Sequence, residues 1–101
     1  MESEQRTVAR KLAWYFRRNG YLRRQKASRV ASDGWERYKK GDELRLVAES
    51  AQELQILRDL LVKAGLKPGE PFRKGRQFRQ PVYGRQAVAR FLELIEDGGD
   101  A

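Results

Sequence analysis

The sequence predicts an α+β domain in which helices lie on one face of a four-stranded antiparallel sheet. Apolar residues recur at helical spacing in three stretches, near the start, the middle and the end of the chain. Shorter stretches between them alternate apolar and polar residues, as strands do when one face is covered. The predicted order is αββαββα in one small domain over residues 1–101, with residues 1–5 and 97–101 as frayed termini.

The first helix is predicted from its apolar face and from its end. Val8, Leu12, Tyr15 and Phe16 are spaced by four, three and one residues, which places them on one side of a helix. Asn19 and Gly20 then predict the helix end, because both tolerate the left-handed conformation that closes many helices. A strand is expected to follow directly.

The second helix begins at a capping box. Ser50 followed by Glu53 can satisfy free amides at a helix start. Gly65 is expected to end this helix, and Pro68 prevents it from resuming. The apolar face between these signals is predicted to be Leu54, Leu57, Leu61 and Ala64.

A hairpin and a third helix complete the predicted order. The polar run with Lys74 and Gly75 predicts a hairpin tip between Phe72 and the strand at residues 78–83. Gly84 is expected to open the last helix. Its predicted apolar face is Val88, Phe91, Leu92 and Ile95.

Alternation within the strands predicts which side chains face the helices. Pro81 removes a ladder donor, so the last strand is expected at an edge of the sheet. The core side is assigned to Leu22, Leu44, Leu46, Phe78 and Val82. The opposite side is assigned to Tyr21, Arg23, Gln25, Arg45, Arg79 and Tyr83.

The stretch LAWYFRRNG resembles the LAGLIDADG motif of homing endonucleases without a gap. Leu12 and Ala13 match the first two letters of the motif, and Gly20 matches its last. The segments SAQELQILRDLLVKAGL and VYGRQAVARFLELI also resemble the family, whose repeat unit has the order αββαββα. The resemblance implies a concave four-stranded sheet that lies over a DNA groove and contacts it with alternate strand side chains.

The acidic residue that precedes the final Gly of the motif is a metal-binding carboxylate in that family. Here the position is Asn19, whose amide is uncharged and a poor ligand for Mg²⁺. The resemblance therefore implies the fold without the catalytic metal site. We expect no catalytic residue, no bound metal and no cofactor.

The motif also departs from the family at the face where two motif helices pair. Trp14 stands where the family has Gly, and Arg17 and Arg18 occupy its sixth and seventh letters. Two such helices would bring four guanidinium groups together with no local carboxylate to compensate them. A monomer is therefore expected in preference to the usual twofold dimer.

Composition excludes several classes of chemistry. The chain has no Cys and no His, so disulfides, thiolate nucleophiles and imidazole bases or ligands are excluded. No apolar run approaches the roughly 20 residues that a membrane span needs, and the start of the chain lacks the apolar core of a signal peptide. We expect a cytoplasmic protein without a membrane partner.

Charge predicts the partner. The net charge is +8, with nine basic and no acidic residues between Glu4 and Asp33, and six basic and no acidic residues from Phe72 to Phe91. Arg outnumbers Lys fifteen to seven, which favours phosphate and base-edge contacts. The predicted partner is DNA, with duplex favoured over single strands or RNA. The predicted contacts are Arg23, Gln25, Arg45, Lys74, Arg76 and Arg79.

Two other functions stay open at this stage. The chain could be a metal-dependent endonuclease that uses another carboxylate, for which Asp33, Glu36 and Asp42 lie near the first hairpin. It could also be a protein-interaction module that uses Trp14 and Tyr15 on the first helix.

The segment at residues 27–41 allows more than one interpretation. It contains two turn signals, so the second strand could begin near Trp35 or near Glu43. Trp35 and Tyr38 lie among basic residues and could stack on bases, or they could cover one end of the core.

Overall fold

The computed structural model describes residues 3–24 and 41–98. These residues form three helices and one four-stranded antiparallel sheet in the order αββαββα, which confirms the predicted fold class. The elements are α1 (Glu4–Asn19), β1 (Tyr21–Arg23), β2 (Glu43–Ala48), α2 (Ala51–Lys63), β3 (Phe72–Lys74), β4 (Gln77–Tyr83) and α3 (Arg85–Gly98).

The sheet has the strand order β1-β2-β4-β3, and each neighbouring pair is antiparallel. Leu44 lies opposite Leu22 on one side and Val82 on the other, so these three residues share a face. All three helices pack on that face, where Leu44, Leu46 and Val82 are fully buried with Leu57 of α2. Leu22 shares the core side as predicted, but it is exposed because β1 is a three-residue strand at the edge.

Helix α1 starts inside the terminus that was expected to fray. Ser3 caps it by accepting a hydrogen bond from the Arg6 amide at 3.2 Å, and the helix continues from Glu4 to Asn19, where the sequence predicts its end. The predicted conformation of Gly20 is wrong, because its φ of −69° is extended and not left-handed. Glycine is needed there for space, since a Cβ would overlap the ring and the carbonyl oxygen of Phe16.

Helix α2 has both predicted end signals. The Glu53 amide donates to Ser50 Oγ at 3.1 Å, while the Glu53 carboxylate accepts from the Glu49 amide at 2.9 Å. At the other end Gly65 has a φ of +80°. The Leu66 amide then donates to the Leu61 carbonyl at 2.9 Å, which closes the last turn.

The predicted edge position of the last strand is wrong. β4 lies between β2 and β3, and Pro81 lies opposite Arg45 of β2. β3 pairs with β4 only as far as Arg79, so the missing donor of Pro81 faces the side where β3 has already ended. There the Gly69 amide donates to the Pro81 carbonyl at 2.9 Å. A central strand therefore accommodates this proline without losing a bond to β2.

Helix α3 begins and packs as the sequence predicts. Gly84 precedes it with a φ of +102°, and the Val88 amide donates to the Gly84 carbonyl at 2.9 Å. Val88, Phe91 and Ile95 are buried in the core. Within residues 3–24 and 41–98, no helix is long and apolar enough to cross a membrane.

Candidate nucleic-acid interface

The side of the sheet opposite the helices, here called the outer face, gathers most of the predicted DNA contacts. Strand register places Arg23, Arg45, Lys74 and Arg79 on this face, one from each strand. Arg76 lies at the hairpin tip between β3 and β4. The sixth predicted contact, Gln25, lies outside the described residues, as do Asp33, Trp35, Glu36 and Tyr38.

A buried carboxylate organises two of these arginines. Glu43 begins β2 on the outer face, yet it is only 2% exposed. Its Oε1 accepts from Arg23 Nη2 at 2.9 Å, and its Oε2 accepts from Arg45 Nε. The hydrogen bond to Glu43 raises the pKa of Arg45 above its ordinary value, although burial opposes the change. The three side chains together carry one net positive charge.

Sequence reasoning missed Glu43 as part of the site. The signal was present, since the alternation that turns Arg45 outward also turns the residue two positions earlier outward. In the sequence, however, Glu43 belongs to a run of acids from Asp42 to Asp59, which lies apart from the basic stretches that predict the DNA contacts.

Two aromatic rings flank the Arg45 guanidinium. Its central carbon lies 5.4 Å from the centroid of the Tyr21 ring and 5.1 Å from that of Phe72. These distances are within the range of cation–π attraction. The contacts with Arg45 therefore link a ring on β1 to a ring on β3 across the sheet. Pro81 of β4 lies opposite Arg45 and is fully buried.

The rings on the outer face remain open to solvent. Tyr21 is 45% exposed, Phe72 36% and Tyr83 47%. Tyr83 lies opposite Glu43 on β4, and its ring is close enough to Gly69 that a Cβ there would come within 2.7 Å of it. Tyr21 and Tyr83 were predicted to face outward but were not included among the predicted contacts.

The hairpin of β3 and β4 supplies the most accessible positive charge of the outer face. Lys74 and Arg76 are both exposed. Arg79 is partly buried, and its Nη2 donates to Gln77 Oε1 at 3.0 Å. Gln77 in turn donates to Glu49 Oε1 at 3.0 Å. The outer face thus combines two arginines that Glu43 holds at its centre with exposed cationic side chains at the hairpin tip.

A second group of interacting side chains, centred on a single arginine, lies where the last turn of α1 meets the first turn of α2. Arg18 Nη2 lies 2.6 Å from Glu53 Oε1 and 2.9 Å from the Val47 carbonyl oxygen. Its guanidinium carbon also lies 4.9 Å from the Trp14 ring centroid and 5.2 Å from that of Tyr15. We call this set of side chains the helix junction.

The expectation that no carboxylate lies near the arginines of α1 is wrong for Arg18. Glu53 of α2 forms an ion pair with it, so the charge part of the case against a dimer is weakened. Trp14 remains 58% exposed, so the steric part of that argument still applies.

No metal centre forms among the described residues, where no three acidic, Cys or His side chains come together. Asn19, expected from the sequence to replace a metal-binding carboxylate, is an exposed side chain at the end of α1. Asp42 is the one acid of the endonuclease alternative that lies within the described residues, and its carbonyl accepts from the Gly84 amide at 3.0 Å.

Comparison with known proteins finds no matching family model, no similar curated protein and no similar solved structure. The outer face itself is therefore the basis for assigning a function.

Proposed function

We propose that this chain is a non-catalytic DNA-binding protein that uses the outer face for phosphate and base contacts. The observation that carries the proposal is the alignment of Arg23, Arg45, Lys74 and Arg79 on the one sheet face that the helices leave open. Each strand contributes one cation, so a polyanion that crosses the sheet comes near a basic side chain on every strand.

The two kinds of cation on this face suit different contacts. Arg23 and Arg45 are held by Glu43, so their remaining donors are fixed in direction and suit base edges or a single phosphate. Lys74 and Arg76 are exposed at the hairpin tip and suit phosphates whose position varies. The resemblance to LAGLIDADG endonucleases, which read DNA with alternate strand side chains, supports the same surface.

The proposal treats the chain as a degenerate endonuclease. Asn19 supplies no charge to a metal, and the described acids form no cluster that could replace it. We therefore expect that Mg²⁺ or Mn²⁺ does not support cleavage of any DNA substrate. Metal-dependent nicking that survives repurification of the protein would favour the endonuclease alternative. A cytoplasmic location and a monomeric state belong to the same proposal.

A salt titration of DNA binding tests the proposal. If four to six phosphates are neutralised on duplex DNA, the slope of log K against log salt is about −4 to −5. Replacing Lys74→Gln and Arg76→Gln together should reduce the magnitude of the slope by about 1.8. The matched control is Lys11→Gln with Lys67→Gln, which removes two exposed cations outside the sheet.

The control separates the outer face from general attraction by net charge. Equal loss of binding in both double variants would mean that DNA responds to the whole charge of the protein and not to this surface. Binding that does not change between low and high salt, or no binding at all, would contradict the proposal.

A further inference from the structure

We infer that the outer face binds single-stranded nucleic acid and stacks its bases on the exposed rings of Tyr21, Phe72 and Tyr83. This inference rests on the proposed function and specifies the form of its ligand. It is carried by the position of these rings on the face that holds the cations, together with the way Glu43 offsets the charge at its centre.

The distribution of charge on the outer face suits a duplex poorly. A duplex is held chiefly through its phosphates, which need cations with little local compensation. At the centre of the face, however, Arg23 and Arg45 share the buried carboxylate of Glu43. The exposed cations Lys74 and Arg76 lie at one end, on the hairpin tip. The centre therefore offers flat groups more than it offers charge.

Three of those flat groups are aromatic and lie on three different strands. Tyr21 is on β1, Phe72 on β3 and Tyr83 on β4. β1 and β3 are the two edge strands of the sheet. The Arg45 guanidinium carbon lies 5.4 Å from the Tyr21 ring centroid and 5.1 Å from that of Phe72. Because this guanidinium lies near both rings, one base cannot stack on both, and each ring is expected to take a different base. A row of rings across a sheet suits a strand that runs across the sheet.

A base can stack on these rings only when its flat face is accessible. In a duplex those faces are covered by neighbouring base pairs, and a protein meets only the edges in the grooves. A single strand exposes them to aromatic side chains and to guanidinium planes, which is how many single-strand and RNA binders gain affinity. Arg45 lies within cation–π distance of two of these rings, so they are held on the outer face beside a fixed arginine.

Fluorescence anisotropy with three labelled probes tests the inference at one fixed salt concentration. The probes are a 15-nucleotide single-stranded DNA of mixed sequence, the same sequence as a duplex, and its single-stranded RNA counterpart. We expect the single strands to bind at least tenfold more tightly than the duplex.

Ring variants test whether stacking is the cause. Tyr83→Leu and Phe72→Leu should each weaken single-strand binding by about 5- to 150-fold, the range of one base–aromatic contact, and should leave duplex binding almost unchanged. Tyr83→Phe retains the ring and should bind like the wild type. Trp14→Leu is the matched control, because it removes a still more exposed ring from α1. Circular dichroism establishes that each variant is folded.

The outcomes separate the inference from the proposed function. Equal or tighter binding of the duplex, with no effect of Tyr83→Leu or Phe72→Leu on any probe, would overturn the inference and leave DNA binding intact. Failure of all three probes to bind would overturn both. Binding of the RNA strand alone would support stacking and overturn the choice of DNA as partner.

Discussion

The outer face and the helix junction are built from the same chemical groups, yet only one of them keeps a net positive charge. At the junction, Arg18 pairs with Glu53 at 2.6 Å, beside two aromatic rings. On the outer face, Arg45 pairs with Glu43, also beside two rings. A guanidinium, a carboxylate and aromatic rings therefore do not by themselves indicate a binding site.

The two clusters differ in the net charge that remains after their ion pairs form. At the junction one guanidinium meets one carboxylate and also donates to the Val47 carbonyl at 2.9 Å, so it ties the end of α1 to both the sheet and α2. On the outer face one carboxylate serves both Arg23 and Arg45, which leaves a positive charge and unused donors. The junction is thus balanced in charge, although the buried Arg18 Nε has no hydrogen-bond partner among the described residues, whereas the outer face keeps one positive charge for the proposed ligand.

The largest expected effect comes from Glu43→Gln. The amide keeps the shape of the side chain, but it removes the charge that holds Arg23 and Arg45 together. We expect the free energy of unfolding in urea to fall by about 2 kcal/mol, below the cost of breaking a fully buried pair because both guanidiniums are partly exposed. Duplex binding by the folded variant should become more salt-dependent, with a slope steeper by up to about 0.9.

An exposed acid in the loop after α2 gives the control for Glu43. Glu70→Gln changes the net charge equally at an exposed site, and should alter stability by less than about 0.5 kcal/mol. If Glu43→Gln is no less stable than this control, the carboxylate does not organise the outer face.

A pH effect of intermediate size is expected at the helix junction. The hydrogen bond from Arg18 lowers the pKa of Glu53 from its ordinary value of 4.5, with burial opposing the shift. A carboxyl group whose pKa is lowered by folding stabilises the folded state above its unfolded pKa, and this contribution is lost as pH falls through the folded pKa. The free energy of unfolding, measured in urea, should therefore fall less for Glu53→Gln than for the wild type as the pH is lowered from roughly 5 to 2.

The same variant sharpens the comparison with the outer face. Glu53 belongs to α2, on the other side of the sheet, so Glu53→Gln should leave DNA affinity at pH 7 unchanged. A loss of affinity similar to that of the outer-face variants would mean that the helix junction takes part in binding.

The sequence predicts much of the outer face because strand period is a local property. Burial of Leu44 and Leu46 requires Arg45 between them to point away from the helices. The same alternation assigns Arg23 and Arg79 to that side, so three of the predicted contacts follow from local pattern alone.

The ion pairs could not be predicted in this way, because they depend on register and packing between distant segments. Arg23 meets Glu43 only because β1 and β2 pair with these two residues directly opposite. Arg18 meets Glu53 only because α1 and α2 pack side by side. Pro81 likewise fits a central strand only because β3 ends before it, and the length of β3 cannot be predicted from the residues around Pro81.

The smallest expected effect concerns Trp14, the exposed ring of the helix junction. Its ring lies 5.0 Å from that of Tyr15 in an edge-to-face contact, and it covers one side of the Arg18 guanidinium. Trp14→Ala should reduce the free energy of unfolding by only about 0.5 kcal/mol, since an exposed cation–π contact contributes little. We expect the wild type and the variant both to sediment as a monomer of 11.8 kDa at micromolar concentration. Ile56→Ala, which truncates an exposed apolar side chain on α2, is the control. A wild-type dimer that Trp14→Ala dissociates and Ile56→Ala does not would mean that α1 pairs with a second copy, and that this ring belongs to an interface after all.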